Sequence, residues 1–179
     1  INFTLVAYDS GVPQLSSSAG VFVEVVNVND EEPKFLALEY TAVLVEHTEP
    51  HTIVLNVTAT DNDEGKFGDV TYSLSGEQSS LFNIDPVSGV ITVAENSIID
   101  RELTTDLRFR VVATDNAPDN LKKSASVPVH IKIQDLNDNA PIFTQKVYKS
   151  TIAENLQLNP PAAILQVLAE DEDEGVNGK

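Results

Sequence analysis

The 179-residue chain has no cysteine, no methionine and no tryptophan, and its 11 lysines and arginines are outnumbered by 28 aspartates and glutamates. Without cysteine there is neither a disulfide staple nor a thiolate zinc centre. A formal charge of −17 excludes a nucleic-acid surface, which needs clustered cations to face phosphates. No apolar run approaches the roughly 20 residues of a membrane-spanning helix. No leader segment opens the chain, so an extracellular setting would make it an interior piece of a longer protein. Enzyme signatures are missing as well: Ser88-Gly89 reads as a turn, and no G-x-S-x-G or H-E-x-x-H pattern occurs. The lack of tryptophan removes the usual aromatic platform for sugars.

Valine, isoleucine and threonine are abundant, which favours strands over helices. With 41 % hydrophobic residues and no low-complexity tract, disorder does not account for the acidity. A solvated acidic tail or a site for hard cations remains, and the cation site is the reading to test. Two N-x-[ST] triplets, at Asn2 and Asn56, are candidate glycosylation sites and suit an extracellular setting.

The chain repeats itself. "VNDEEPKF" at 28–35 returns as "LNDNAPIF" at 136–143, and "VEH" at 45–47 as "AEN" at 153–155, both offset by 108. "TDNDEG" at 60–65 returns as "EDEDEG" at 170–175, offset by 110, and "VAYDSGVP" at 6–13 as "VATDNAPD" at 112–119, offset by 106. A unit of this size carries its own core, so the copies are tandem domains rather than solenoid turns. The expected division is the tail of one domain at 1–30, a complete domain at 31–138 and the head of another at 139–179.

Within the complete copy the hydrophobic period is two. Ile53, Leu55, Val57 and Ala59 share one expected inward face; Leu107, Phe109, Val111 and Ala113 share another, with Arg108 and Arg110 outward. Val127, Val129, Ile131 and Ile133 form a third, which leaves Pro128 outward, where only an edge or bulge tolerates it. Further strands are expected at 35–46, 70–75, 81–85 and 89–95, the last two joined by a turn at Pro86–Gly89. Seven strands in about 105 residues fit an all-β, Greek-key, immunoglobulin-like sandwich.

The acidic motifs sit at strand ends and in connections. Alternate strand ends point to opposite poles, so these motifs divide between the two junctions with neighbouring domains. At the second junction Glu46, Asp100 and Glu102 meet the linker Asp135–Asn139 and Asp171 and Asp173 of the next copy. Two like charges about 4 Å apart repel by roughly 4 kcal/mol at an effective dielectric of about 20, so a cation belongs among them. Calcium suits an all-oxygen, irregular donor set, whereas zinc wants histidine or cysteine and magnesium strict octahedral order. His47 and His51 flank Pro50 and read as a surface pair. An EF-hand loop does not fit, because Gly65 and Lys66 stand where an acidic or amide residue and a glycine are needed.

Taken together these motifs resemble the ectodomain repeats of the cadherin family. "DLNDNAP" is similar to its interdomain linker, "IDRE" to its D-R-E loop, "VEH" and "AEN" to its x-E-x motif, "DNDEG" and "DEDEGVNG" to its D-x-D segment. The resemblance spans the whole chain and implies three calcium ions at each complete junction. At the second, Glu46, Asp100, Glu102 and Asp138 would hold two ions, with the Leu136 carbonyl and Asp173 assisting. Asn137, Asp171, Asp173 and the carbonyls of Asn139 and Asn177 would hold the third.

At the first junction one site is expected from Asn29, Asp61, Asp63, Asp115 and the carbonyls of Glu31 and Phe67, with Asp30 also a candidate ligand. There Asn27 replaces the linker's first aspartate, Glu31 its final asparagine, and Phe67 the usual asparagine. The implied function is calcium-dependent cell–cell adhesion, with calcium stiffening the joints of an extracellular rod that belongs to a single-pass membrane protein. The implied partners are cadherin ectodomains in cis or trans, homophilic or heterophilic. A calcium-stabilised spacer or glycan-binding accessory without adhesive contacts is the alternative. Strand-swapping members bury a tryptophan near their mature N-terminus; this chain has none, so the likeness is closer to large, many-repeat or protocadherin-like members.

Overall fold

A computed structural model describes residues 1–154 and 163–179; Asn155 of the third copy's "AEN" lies outside the described residues. Strands β1 (Asn2–Tyr8) and β2 (Ser16–Phe22) form an antiparallel hairpin. The complete copy holds β3 (Lys34–Phe35), β4 (Tyr40–Val45), β5 (Ile53–Asn56), β6 (Ala59–Thr60), β7 (Val70–Ser75), β8 (Phe82–Ile84), β9 (Val90–Val93), β10 (Asp106–Asp115) and β11 (Ser124–Gln134). The third copy contributes β12 (Ile142–Phe143) and β13 (Ala169–Glu170). One sheet runs β4-β11-β10-β7 and the facing one β5-β9-β8, with β3 paired to β6 and β12 to β13. Only β4 against β11 is parallel among these pairings.

The alternation on the two long strands holds. Leu107, Val111, Ala113 and Ile131 are fully buried, with Phe109, Val127, Val129 and Ile133 nearly so, while Arg108 and Arg110 face water. Phe82, Ile91 and Val93 of the facing sheet and Val57 just beyond β5 close the same core, and the Phe82 and Phe109 rings stack across it at 5.0 Å. Burying such side chains is the main source of stability in a sandwich. Pro128 lies opposite Arg110, one residue before β11 gains β4 as an outer neighbour at Val129. Its missing N–H therefore costs no ladder bond.

Two of the expected strands are broken. The chain pairs with β6 as β3, then crosses to the other sheet to run beside β11 as β4; the periodicity carries through this crossing, but the hydrogen-bond partner changes. The second strand is interrupted at Val57, whose N–H donates to the Gly89 carbonyl at 3.1 Å. A register shift between Ile53 and Leu55 turns Ile53 outward. Expected inward, it is 68 % exposed, the side-chain reversal that an irregularity of one residue produces. At the Pro86–Gly89 turn Asp85 accepts the Val87 and Ser88 N–H groups. Gly89 takes φ +73° there, and a Cβ on it would meet the Val57 carbonyl oxygen at 2.3 Å, so only glycine fits.

The same local contacts recur in the third copy. The Tyr40 hydroxyl donates to the Thr58 carbonyl at 3.1 Å, and the Tyr148 hydroxyl to the Leu168 carbonyl at 2.8 Å. Phe35 meets Tyr40 edge-on at 6.4 Å, and Phe143 meets Tyr148 edge-on at 6.1 Å. Asp9 repeats Asp115: its Oδ1 accepts the Gly11 and Leu15 N–H groups as Asp115 accepts those of Ala117 and Lys123.

Candidate metal centre

Glu46 follows β4 directly, and the parallel pairing with β11 sets it beside the outgoing linker, its N–H donating to the Gln134 carbonyl at 3.0 Å. Only 2 % of Glu46 is exposed. One of its oxygens accepts the Leu136 N–H at 2.6 Å, the other the Arg101 N–H at 2.9 Å. A single buried carboxylate thus ties the end of β4 to the linker and to the Asp100–Glu102 loop. That loop is shaped by Asp100, whose side chain accepts the Leu103 N–H at 3.1 Å and whose carbonyl accepts the Thr104 N–H at 3.0 Å.

Among the described residues, three groups of possible ligand atoms, each within 4.8 Å of one another, form around it: Glu46, Asp100 and Glu102; Glu102, Asp135 and Asp173; Glu46, His47 and Asp138. They share members, so they form one continuous patch. Burial first, and the neighbouring Glu46 next, holds the Glu102 carboxyl above the ordinary range, which a cation placed between them would reverse. For Asp135, burial pushes upward but is outweighed by the Asn177 amide at 2.8 Å, the Glu174 N–H at 2.9 Å and Arg101, so its pKa is lowered.

Of the expected second-junction ligands, Glu46, Asp100, Glu102, Asp138 and Asp173 converge on this patch. Asp171 supports it, accepting the Asp173 N–H at 3.0 Å, and Asn139 donates its N–H and side-chain amide to Asp173 at 3.2 and 3.0 Å. Asn177 enters through its side-chain amide on Asp135, and Leu136 through its N–H on Glu46. Asn137 is exposed. Two members lie outside the expected ligand set: Asp135, expected at the junction only as the start of the linker, and His47, expected at the surface. Asp135 belongs to the linker's opening position, whose first-junction counterpart Asn27 supplies the readable signal. His47 pairs with Asp138 and His51 with Glu95, so the two histidines serve different carboxylates; the approach of His47 to Asp138, 91 residues away, leaves no local trace in sequence.

The D-x-D segments of the two copies are built alike. The Asp63 N–H donates to Asp61 at 3.0 Å just as Asp173 does to Asp171. A Cβ on Gly68 would meet the Asp63 carbonyl oxygen at 2.0 Å, and one on Gly178 the Asp173 carbonyl oxygen at 2.1 Å. The linkers grip them alike, the Glu31 N–H on Asp63 at 3.1 Å matching Asn139 on Asp173. One contact is inverted: Asn27 donates to the Glu64 carbonyl, whereas Asp135 accepts the Glu174 N–H.

At the first junction the Asn29 amide donates to Asp115 at 2.8 Å and to the Leu121 carbonyl at 2.7 Å. Asp115 is 1 % exposed. Burial acts to raise its pKa, but hydrogen bonds from Asn29, Lys123 and Ala117 outweigh it and lower the value. Asp30 takes part through its carbonyl, which accepts from Lys123 Nζ at 2.7 Å. Among the described residues, the carboxylates of this junction do not form a group of three within 4.8 Å.

A hard cation fits the donor chemistry. Asn29 Oδ1, Asp61 Oδ2 and Asp173 Oδ2 are buried oxygens with no hydrogen-bond partner, and each belongs to an expected ligand. Buried polar atoms are rarely left unpaired without a reason. Apart from His47, every side-chain donor in the patch is oxygen, the preference of calcium rather than zinc.

Residues 40–134 match the family model described as "Cadherin domain". The chain is 46 % identical over 178 residues to Cadherin-87A of Drosophila melanogaster, covering 99 % of this chain and 9 % of that protein. The solved structure of mouse cadherin-23 EC22–24 superposes with a TM-score of 0.89 at 34 % identity, over 99 % of this chain and 55 % of that one. A protocadherin gammaB7 EC3–6 cis-dimer structure gives 0.74 at 29 % identity, over 99 % of this chain and 44 % of that one. This chain therefore corresponds to a small part of its full-length curated relatives, and it belongs to the cadherin family.

Proposed function

We propose that the chain is a calcium-stiffened segment of an adhesive ectodomain, made of a domain tail at 1–30, a complete domain at 31–138 and a domain head at 139–179. As a cadherin-domain chain it is a structural, non-enzymatic protein. Cadherin domains bind calcium generally, and the acidic groups are compatible with it. The observation that carries the reading is the buried Glu46, bonded at once to the linker and to the Arg101 backbone, with the patch continuing through Glu102 to Asp173 of the next copy.

In mechanism, Glu46, Asp100, Glu102, Asp135 and Asp138 would hold calcium from the side of the complete domain and linker, while Asp171 and Asp173 hold it from the next. Bound calcium supplies charge neutralisation. The protein supplies the placement: β4 and β11 fix Glu46, the Asp100–Glu102 loop fixes its two carboxylates, and the Asn139 amide fixes Asp173. Mutual repulsion then becomes a shared attraction across the joint. At the first junction Asn29, Asp61, Asp63 and Asp115 would do the same for one ion, with the Glu31 and Phe67 carbonyls. At the second, Asn137 and the Leu136, Asn139 and Asn177 carbonyls would complete the shell.

The setting would be the extracellular side of a plasma membrane, with another cadherin ectodomain as partner in cis or trans. Among the described residues no helix is long and apolar enough to cross a membrane. Asn2 and Asn56 are both exposed and would accept glycans. Thermal unfolding tests the reading. Millimolar calcium should raise the melting temperature of the 1–179 chain clearly above its value in chelator, because a ligand bound only by the folded state stabilises it by mass action, and magnesium at equal concentration should do much less. Equal melting in calcium and chelator would contradict it.

A further inference from the structure

One cation is already built into the acidic patch. The Arg101 side chain is about nine-tenths buried, 10 % of it being exposed. Its Nε lies 2.5 Å from Asp135 Oδ1 as a charge contact without hydrogen-bond geometry, while a terminal nitrogen pairs with Glu102 and donates to the Glu172 carbonyl at 2.5 Å. Its own N–H meanwhile donates to Glu46. One guanidinium therefore touches the loop, the linker and the next copy, and two of its partners, Glu102 and Asp135, stand in the group completed by Asp173. A guanidinium is permanently charged and its planar fork holds several oxygens at fixed angles, which an ammonium does not reproduce.

We propose that Arg101 is an internal counter-ion that ties the second junction together and sets its calcium affinity by competing for Asp135 and Glu102. The proposal rests on the calcium reading of this junction. A metal drawn to Glu102, Asp135 and Asp173 must share two of those carboxylates with the guanidinium, or displace it, and its unit charge repels the incoming ion. Arg101 thereby weakens calcium binding while limiting how far the joint opens when calcium is scarce. The same side chain opposes the metal and stands in for it. The side chain acts by position and charge, as a guanidinium is not a metal donor.

The test uses the 1–179 chain, calcium alone as ligand, and the variants Arg101→Gln and Arg101→Lys, followed by calorimetric titration and by small-angle scattering in chelator. Arg101→Gln should bind calcium roughly three- to tenfold more tightly, the scale expected for removing one nearby like charge from a partly screened site, and should scatter as a more extended particle in chelator. Arg101→Lys should keep the wild-type affinity within about twofold and lose part of the compaction. Weaker or unchanged calcium binding by a folded Arg101→Gln would overturn the proposal. Should that variant fail to fold, a calcium affinity of Arg101→Lys far from wild type would do so instead. If no chain responds to calcium, the metal reading falls, and the scattering in chelator still decides whether Arg101 ties the joint.

Discussion

Replacing Glu46 by alanine is expected to lower the melting temperature of the chain by about 10 °C in chelator and to remove most of the additional rise that calcium brings. Both effects arise from one side chain. In chelator the Leu136 and Arg101 N–H groups lose their acceptor, and leaving a buried donor unpaired costs about 1–3 kcal/mol. Relief of repulsion with Asp100 and Glu102 offsets part of this. About 2 kcal/mol remains, and each kcal/mol moves the midpoint of a domain this size by roughly 4–8 °C. In calcium the patch loses one of the two carboxylates, Glu46 and Glu102, that each belong to two of its three groups, so the concentration at half-response should rise at least about tenfold. Glu46→Gln separates the two effects: it keeps one acceptor oxygen, so it should melt nearer wild type in chelator while losing most of the calcium response. Parallel melting curves in chelator and in calcium for all three chains would refute this account of Glu46.

Leu107→Ala is the contrasting experiment. Leu107 is fully buried in the sandwich core, paired to Ile131 across β10 and β11, and has no part in the acidic patch. Truncating a buried leucine to alanine costs about 2–5 kcal/mol, as lost transfer energy and an unfilled cavity, which at the same conversion corresponds to a fall of roughly 8–40 °C. The fall should be the same in chelator and in calcium, since the substitution leaves every oxygen of the junction in place. Circular dichroism melts of the variant under both conditions measure this. A calcium response that vanished with Leu107 would mean that core and junction are coupled, contrary to the separation described here.

How much of this could be read from sequence depended on where hydrogen bonds change hands. On β10 and β11 the strands are long and unbroken, so period-two patterning placed Leu107, Phe109, Val127 and Ile131 inward. On β5 the same reasoning misplaced Ile53, because the shift before Leu55 carries no compositional mark. The split of β3 from β4 was hidden likewise, since an apolar-polar alternation does not say which sheet a strand joins.

The acidic patch was legible because its members recur at a fixed offset, and the twin geometries of Asp61–Asp63 and Asp171–Asp173 follow that offset. What recurrence could not supply was contact between distant segments. The Arg101 side chain reaching Glu172 and His47 meeting Asp138 depend on the parallel placement of β4 against β11 and on the course of the linker, and neither is encoded in any one window of sequence.

The absence of cysteine makes the central claim open to direct measurement. Val87 and Val147 are 82 % and 64 % exposed, one in the complete copy and one in the next. Both can be changed to cysteine and spin-labelled with no competing thiol. Pulsed electron-spin distance measurement across the second junction should give a broad distribution in chelator that narrows to a single peak in millimolar calcium, with the narrowing lost in Glu46→Ala. A distribution of the same width in chelator and in calcium would contradict the claim that calcium stiffens this joint.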